Sequence, residues 1–91
     1  MDHDDARPVS LQDAAAYEAA RDILSDLLGY AARRIDAGRN DPAADRDELA
    51  TWQRRRDDWT ARFRDLRPHD ALAVRRVLDE DAAFLRDLPT S

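Results

Sequence analysis

The sequence predicts an all-α protein, an up-down-up antiparallel bundle of three helices. Apolar residues recur every three or four positions in three separate segments, which is the spacing of an amphipathic helix. Glycine or proline stands near each boundary between the segments, and no segment shows the strict alternation of a strand. Connections of only a few residues force consecutive helices to run antiparallel.

The first helix is expected over about residues 11–37. Ser10, with Asp13 three residues later, resembles a capping box with the shorter acid. Gly38 follows the last apolar position and is suited to a left-handed C-cap. The apolar positions between these signals are Ala16, Ala20, Ile23, Leu24, Leu27, Ala31 and Ile35.

The second helix is expected over about residues 42–66. Asp41 fits the N-cap, and Pro42 fits the first helical position, where its missing N–H is not needed. Its apolar stripe consists of Leu49, Trp52, Trp59, Phe63 and Leu66.

The third helix is expected over about residues 69–88. Pro68 breaks the chain before it, and Asp70 in its first turn faces the positive end of the helix dipole. Its stripe consists of Val74, Val77, Leu78, Phe84, Leu85 and Leu88.

The length of 91 residues predicts one domain. We expect a single helical domain over residues 10–88, a flexible acidic N-terminal tail over 1–9 and a frayed C-terminus over 89–91.

The composition excludes several classes of protein. The chain carries a net charge of −5 and no cysteine, so it is acidic and has neither disulfides nor thiolate sites. All 15 basic residues are arginine, which is typical of high-GC bacterial genomes. There is no apolar run long enough for a membrane span and no secretory signal, so a cytoplasmic protein without membrane contact is expected.

Charged residues also fall within or at the end of the apolar stripes, which suggests structural ion pairs between helices. They are Asp13, Arg34, Asp45, Arg56 and Asp81. If positions 56 and 81 face each other in an antiparallel pair, Arg56 meets Asp81, and a similar register brings Arg34 to Asp45. We interpret the pairs as fixing helix register. The alternatives are a polar ligand site, a different register, or a third helix that bends at Asp79.

The first helix has the widest apolar arc, and its far edge carries Tyr17, Leu28 and Ile35. These side chains either cover the third helix or remain exposed. An exposed patch of this kind marks a homodimer seam or a docking face for a larger partner.

A nucleic-acid interface is the alternative surface, although nucleic acid is the less favoured partner. The second helix and the turn after it hold the basic region of the chain, but its aromatic residues share the core stripe and are poor platforms for stacking bases. The arginines concerned are Arg54, Arg55, Arg62, Arg64 and Arg67.

The sequence contains no recognisable catalytic motif and implies no cofactor. His3, third in the chain, gives a free terminus the capacity to bind Cu(II) or Ni(II) through nitrogen atoms; otherwise no metal is expected. In size alone the chain resembles the all-helical chorismate mutases. That family binds a dicarboxylate with arginines and usually a lysine, and this chain has no lysine, so no residue roles are transferred.

We therefore expect a non-catalytic acidic helical protein that acts through protein–protein interaction. The roles of regulator, inhibitor, antitoxin-like protein and adaptor remain open, as do self-association and binding to another protein.

Overall fold

Three helices account for most of the chain between residues 10 and 89, the part that the computed structural model describes. The all-α prediction is confirmed, and no strand occurs within that range. The predicted tail 1–9, with His3, and the last two residues lie outside the described residues. The helices are α1 (Leu11–Arg39), α2 (Arg46–Asp65) and α3, which comprises Ala71–Arg76, a π-helical turn Val77–Asp81 and Ala82–Arg86.

Helix α1 begins as predicted and ends two residues later than predicted. The Ser10 hydroxyl accepts a hydrogen bond from the Asp13 N–H at 3.0 Å, which caps the first turn. The helix then continues through Gly38 to Arg39, and no described glycine has a positive φ, so the predicted left-handed cap at Gly38 is wrong. Gly38 instead allows a close approach, because a Cβ there would lie 3.1 Å from Leu49 Cδ1.

Helix α2 begins four residues later than predicted. The Asp41 carboxylate accepts a hydrogen bond from the Ala43 N–H, which closes a turn around Pro42 rather than opening the helix. Asp45 is the N-cap, and its carboxylate accepts from the Asp47 N–H at 2.8 Å. The connection between α1 and α2 is longer as a result.

Helix α3 contains the one π-helical turn among the described residues. The helix begins at Ala71, two residues later than predicted, and Asp70 is its N-cap rather than part of its first turn, accepting a hydrogen bond from the Ala73 N–H. At the π turn the Ala82 N–H donates to the carbonyl oxygen of Val77, five residues earlier. The sequence suggested a bend at Asp79 as one alternative, and the irregularity found around Asp79 is this wider turn.

Helices α1 and α2 are antiparallel, but their register differs from the prediction. The rings of Tyr30 and Trp52 lie 5.3 Å apart, and Gly38 lies beside Leu49. The register that pairs Arg34 with Asp45 would place Leu49 opposite Tyr30, so the helices are displaced by about one to two turns. The predicted stripes still face inward, because residues three or four apart share one face of a helix.

Helix α1 lies between the other two helices and supplies half of the buried apolar residues. The Cα atoms of α2 and α3 stay more than 8 Å apart along their whole length, whereas both helices approach α1 within that distance. Fully buried alanines on α1 allow this close approach, while bulky side chains hold α2 and α3 apart. The principal extents of the Cα trace, 56 × 27 × 15 Å, describe a flattened bundle. The buried apolar residues are Ala20, Leu24, Leu27, Ala31, Ile35, Trp52, Trp59, Leu66, Val74 and Val77.

Candidate functional site

The candidate site is the groove between α2 and α3, where side chains rather than backbone bridge the two helices. The rings of Trp59 and Phe84 meet edge-on with their centroids 5.5 Å apart. Trp52 continues this aromatic row toward α1 at 6.4 Å from Trp59. Long side chains thus cross a gap that the helix backbones leave open.

Arg62 is the central polar residue of the groove. Its Nη1 atom donates to both carboxylate oxygens of Asp81, each at 2.8 Å, and its Nη2 atom lies 3.1 Å from the Asp58 carboxylate. The Asp81 side chain is only 9% exposed, whereas that of Arg62 is 26% exposed. One guanidinium therefore joins two carboxylates, one buried and one at the surface.

The prediction that Asp81 faces inward is confirmed, but the prediction that Arg56 is its partner is wrong. Arg56 pairs with its exposed neighbour Asp57 at 3.1 Å. Arg56 and Arg62 are separated by six residues, or about 120° of helix rotation, so they lie on opposite edges of the buried stripe. Only the edge that carries Arg62 faces α3.

The predicted pair of Arg34 with Asp45 is also wrong. The Asp45 carboxylate is engaged as the N-cap of α2. Arg34 instead pairs with Glu48, which lies about one turn beyond Asp45 on α2. The Arg34 guanidinium also lies 5.7 Å from the Trp52 ring centroid. Both side chains of the Arg34–Glu48 pair are about half exposed, so the pair is not part of a buried network.

Below the aromatic row the groove opens into a cleft of about 280 Å³, called here the α2–α3 cleft. Buried Leu66 and Val77 are among its apolar lining, together with the small side chains of Ala61 and Ala73. The cleft combines an apolar base with a charged rim, which is the composition expected of a binding groove. The charged residues that line it are Asp58, Asp65, Asp70, Arg62 and Arg76.

One carboxylate on this rim has a perturbed acidity. A side-chain hydrogen bond from Arg64, and then the positive charge of that guanidinium, lower the pKa of Asp65. The same contact raises the pKa of Arg64. Asp65 on this rim is therefore held in an ion pair with Arg64.

The predicted interaction face on α1 is not an exposed patch. Ile35 is only 3% exposed and belongs to the core, so its assignment to a docking surface is wrong. Tyr17 and Leu28 are half-buried and pack against the same core. The wide apolar arc of α1 is needed because both other helices pack on it.

The arginines of the predicted nucleic-acid interface make contacts within the protein. The Arg55 guanidinium lies between the rings of Trp52 and Phe84, 4.9 and 5.0 Å from their centroids. Arg62 binds two carboxylates as described above. The other contacts are Arg54 with the Thr51 hydroxyl, Arg64 with Asp65, and Arg67 with the carbonyl oxygens of Arg64 and Leu66.

Arg62 was grouped with the nucleic-acid candidates, and its role in the groove was missed. The sequence did contain a signal for this role. Arg62 stands three residues after Trp59 and four before Leu66, at the edge of the stripe, and four residues after Asp58. A helix that packs on two neighbours buries both edges of its apolar stripe. A charged residue at either edge then needs a partner of opposite charge.

Neither a family model nor a curated protein nor a solved structure matches the chain. Within residues 10–89 no three acidic or histidine side chains are grouped to hold a metal ion. No helix in that range has the length and apolar character of a membrane span.

Proposed function

We propose that the protein is a non-catalytic binding module that accepts an amphipathic helix of another protein in the α2–α3 cleft. The observation that carries the proposal is the separation of α2 from α3, which leaves an apolar-based cleft open between the second half of α2 and the first turns of α3. A third helix laid in such a groove buries apolar side chains on both walls.

The charge of the cleft favours a partner helix with basic flanks. Three carboxylates and two guanidiniums line it, and Arg62 already faces two carboxylates, Asp58 and the buried Asp81. The Nε atom of Arg76 lies 3.5 Å from the Glu80 carboxylate. With the net charge of −5 on the whole chain, these groups attract positive charge and would steer such a partner.

The biological role that fits such a module is that of a regulator, inhibitor, antitoxin-like protein or adaptor, all of which act by occupying a partner. The nucleic-acid alternative is less well supported, because the arginines that would carry it are engaged within the protein. The Arg55 guanidinium between two rings and the Arg62 guanidinium between two carboxylates would each have to leave a partner to reach a phosphate.

The test is a titration of isotope-labelled protein with two designed helical peptides followed by NMR. Both peptides carry the same leucine stripe, and one is flanked by lysine and the other by glutamate. We expect the lysine peptide to shift the amides of Ala61 and Ala73 and the glutamate peptide to bind more weakly. The proposal fails if neither peptide binds at millimolar concentration, or if the shifts lie elsewhere.

A matched pair of variants locates the binding site. Ala73→Arg places a long cationic side chain in the cleft, and Ala32→Arg makes the same change at an exposed position on α1. Affinity for the lysine peptide should fall about tenfold or more in the first variant and stay unchanged in the second. Photo-crosslinkers placed at the same two positions then test the site in nuclease-treated host extract, where only position 73 should give a discrete crosslinked partner.

A further inference from the structure

A second cleft lies on a different face, between the first turns of α1 and α3. The two turns lie at the same end of the molecule, because α1 and α3 run parallel. The cleft measures about 160 Å³. Its apolar walls are formed by Ala16 on α1 and by Ala71, Val74 and Leu78 on α3.

The two most exposed large apolar side chains among the described residues stand at this same end. Leu72 is 86% exposed and follows Ala71, a wall residue of the cleft, directly in sequence. Leu11 is 91% exposed and precedes Gln12, which lines the opposite wall. An apolar projection and an apolar recess therefore lie at the same end of the molecule.

The charges of this cleft are also complementary across its walls. Asp13 lies on the α1 wall and Arg75 on the α3 wall. Within residues 10–89 the Asp13 carboxylate makes no ion pair, and Arg75 has only a long contact of 3.8 Å to exposed Asp79. A surface that carries a projection, a recess and one charge of each sign can pair with its own copy through a two-fold axis.

We infer that this end of the molecule is the interface of a homodimer. Leu72 of each copy enters the cleft between α1 and α3 of the other copy, and Asp13 of each copy pairs with Arg75 of the other. The residues that line this cleft are different from those that line the α2–α3 cleft.

The first test is the mass in solution, measured by light scattering or sedimentation over a concentration series. Wild type should approach twice the 10.4 kDa chain mass as concentration rises toward about 1 mM, where even weak dimers are populated. Leu72→Ala should weaken the dimer on the order of 100-fold, because each dimer loses two buried leucines. A wild type that stays monomeric at that concentration overturns the inference.

A charge exchange gives the decisive test of geometry. Asp13→Arg and Arg75→Asp should each be monomeric, since each places like charges opposite each other. An equimolar mixture of the two variants should form a heterodimer, because both cross-pairs are then of opposite sign. Circular dichroism checks that each variant is folded. The proposed interface is contradicted if either variant dimerises as strongly as wild type. It is also contradicted if the mixture of the two variants does not associate.

Deleting residues 1–9 tests whether the chain's own N-terminal segment fills the cleft instead. With the dimer as inferred, the shortened chain associates and still responds to Leu72→Ala. A clear gain in dimer affinity on deletion would show the segment to be the occupant in the full chain and would overturn the inference.

Discussion

At the scale of single residues, the most informative side chain is Arg62. It is the only described residue that neutralises the buried carboxylate of Asp81, and it crosses from α2 to α3 to do so. A buried carboxylate that loses its only cation is left uncompensated in a poorly polarisable environment. The pair therefore links the two helices that do not touch through their backbones.

Replacing Arg62 should destabilise the protein far more than replacing Arg56. We expect Arg62→Met to lower the free energy of unfolding by about 3 kcal/mol, because Asp81 stays buried without a partner. Arg56→Met should change it by less than about 1 kcal/mol, since that arginine pairs only with exposed Asp57. Urea denaturation of both variants measures the difference. Equal losses would point to the register predicted from sequence instead.

At the scale of the elements, the ends of the helices depend on which of several capping residues is used. Asp41 and Asp45 both precede α2, and both carboxylates accept backbone hydrogen bonds. Only the bonds to Asp45 belong to the first turn of the helix. The proline after Asp41 made the earlier position the stronger candidate from sequence, and the turn around Pro42 explains why the helix does not start there.

Removal of the two caps should separate their roles. Asp45→Ala should lower the free energy of unfolding by about 1 kcal/mol, because two N–H groups of α2 lose their acceptor. Asp41→Ala removes a single bond in the connecting turn, and its effect should be smaller. Thermal melts followed by circular dichroism compare the two, and a larger loss at Asp41 would contradict this assignment of the cap.

The two glycines of α1 should respond differently to alanine. Gly29→Ala should stabilise the protein by about 1 kcal/mol, since the added methyl group meets only the flexible end of Arg33 at 3.6 Å. Gly38→Ala gains the same helix propensity but crowds Leu49 at 3.1 Å, so its net effect should be smaller or unfavourable. Chemical denaturation of the two variants gives the comparison, and equal gains would show that Leu49 moves freely.

At the scale of the whole molecule, α1 organises the fold. It supplies half of the buried apolar residues and contacts both neighbours, whereas α2 and α3 meet only through side chains. A chain of 91 residues buries a limited share of its surface, so each core side chain carries a large part of the total stability.

The contrast between core and surface leucines tests this arrangement. Leu27 is fully buried, and Leu27→Ala should lower the free energy of unfolding by about 3 kcal/mol. Leu72 is 86% exposed, and Leu72→Ala should change it by no more than about 0.5 kcal/mol in dilute solution, where the chain is monomeric. Denaturation at low concentration measures both, and a large loss at Leu72 would contradict its exposure.

The sequence by itself determined the class of fold, the number of helices and most of the buried positions. Each of these follows from local spacing, since an amphipathic stripe must be buried whichever neighbour covers it. Leu24, Leu27, Trp52 and Trp59 lie in the core as that reasoning predicts. The buried position of Asp81 was predictable for the same reason.

Only the tertiary structure decided which edges of the apolar stripes meet, and these contacts form the candidate site. The stripes indicate which face is buried but neither the register nor which edge meets which neighbour, so Arg62, on the opposite edge from Arg56, pairs with Asp81. The π turn before Ala82 and the separation of α2 from α3 are likewise seen only in the tertiary structure. Such contacts join residues far apart in the chain, and their geometry exists only once all three helices are packed.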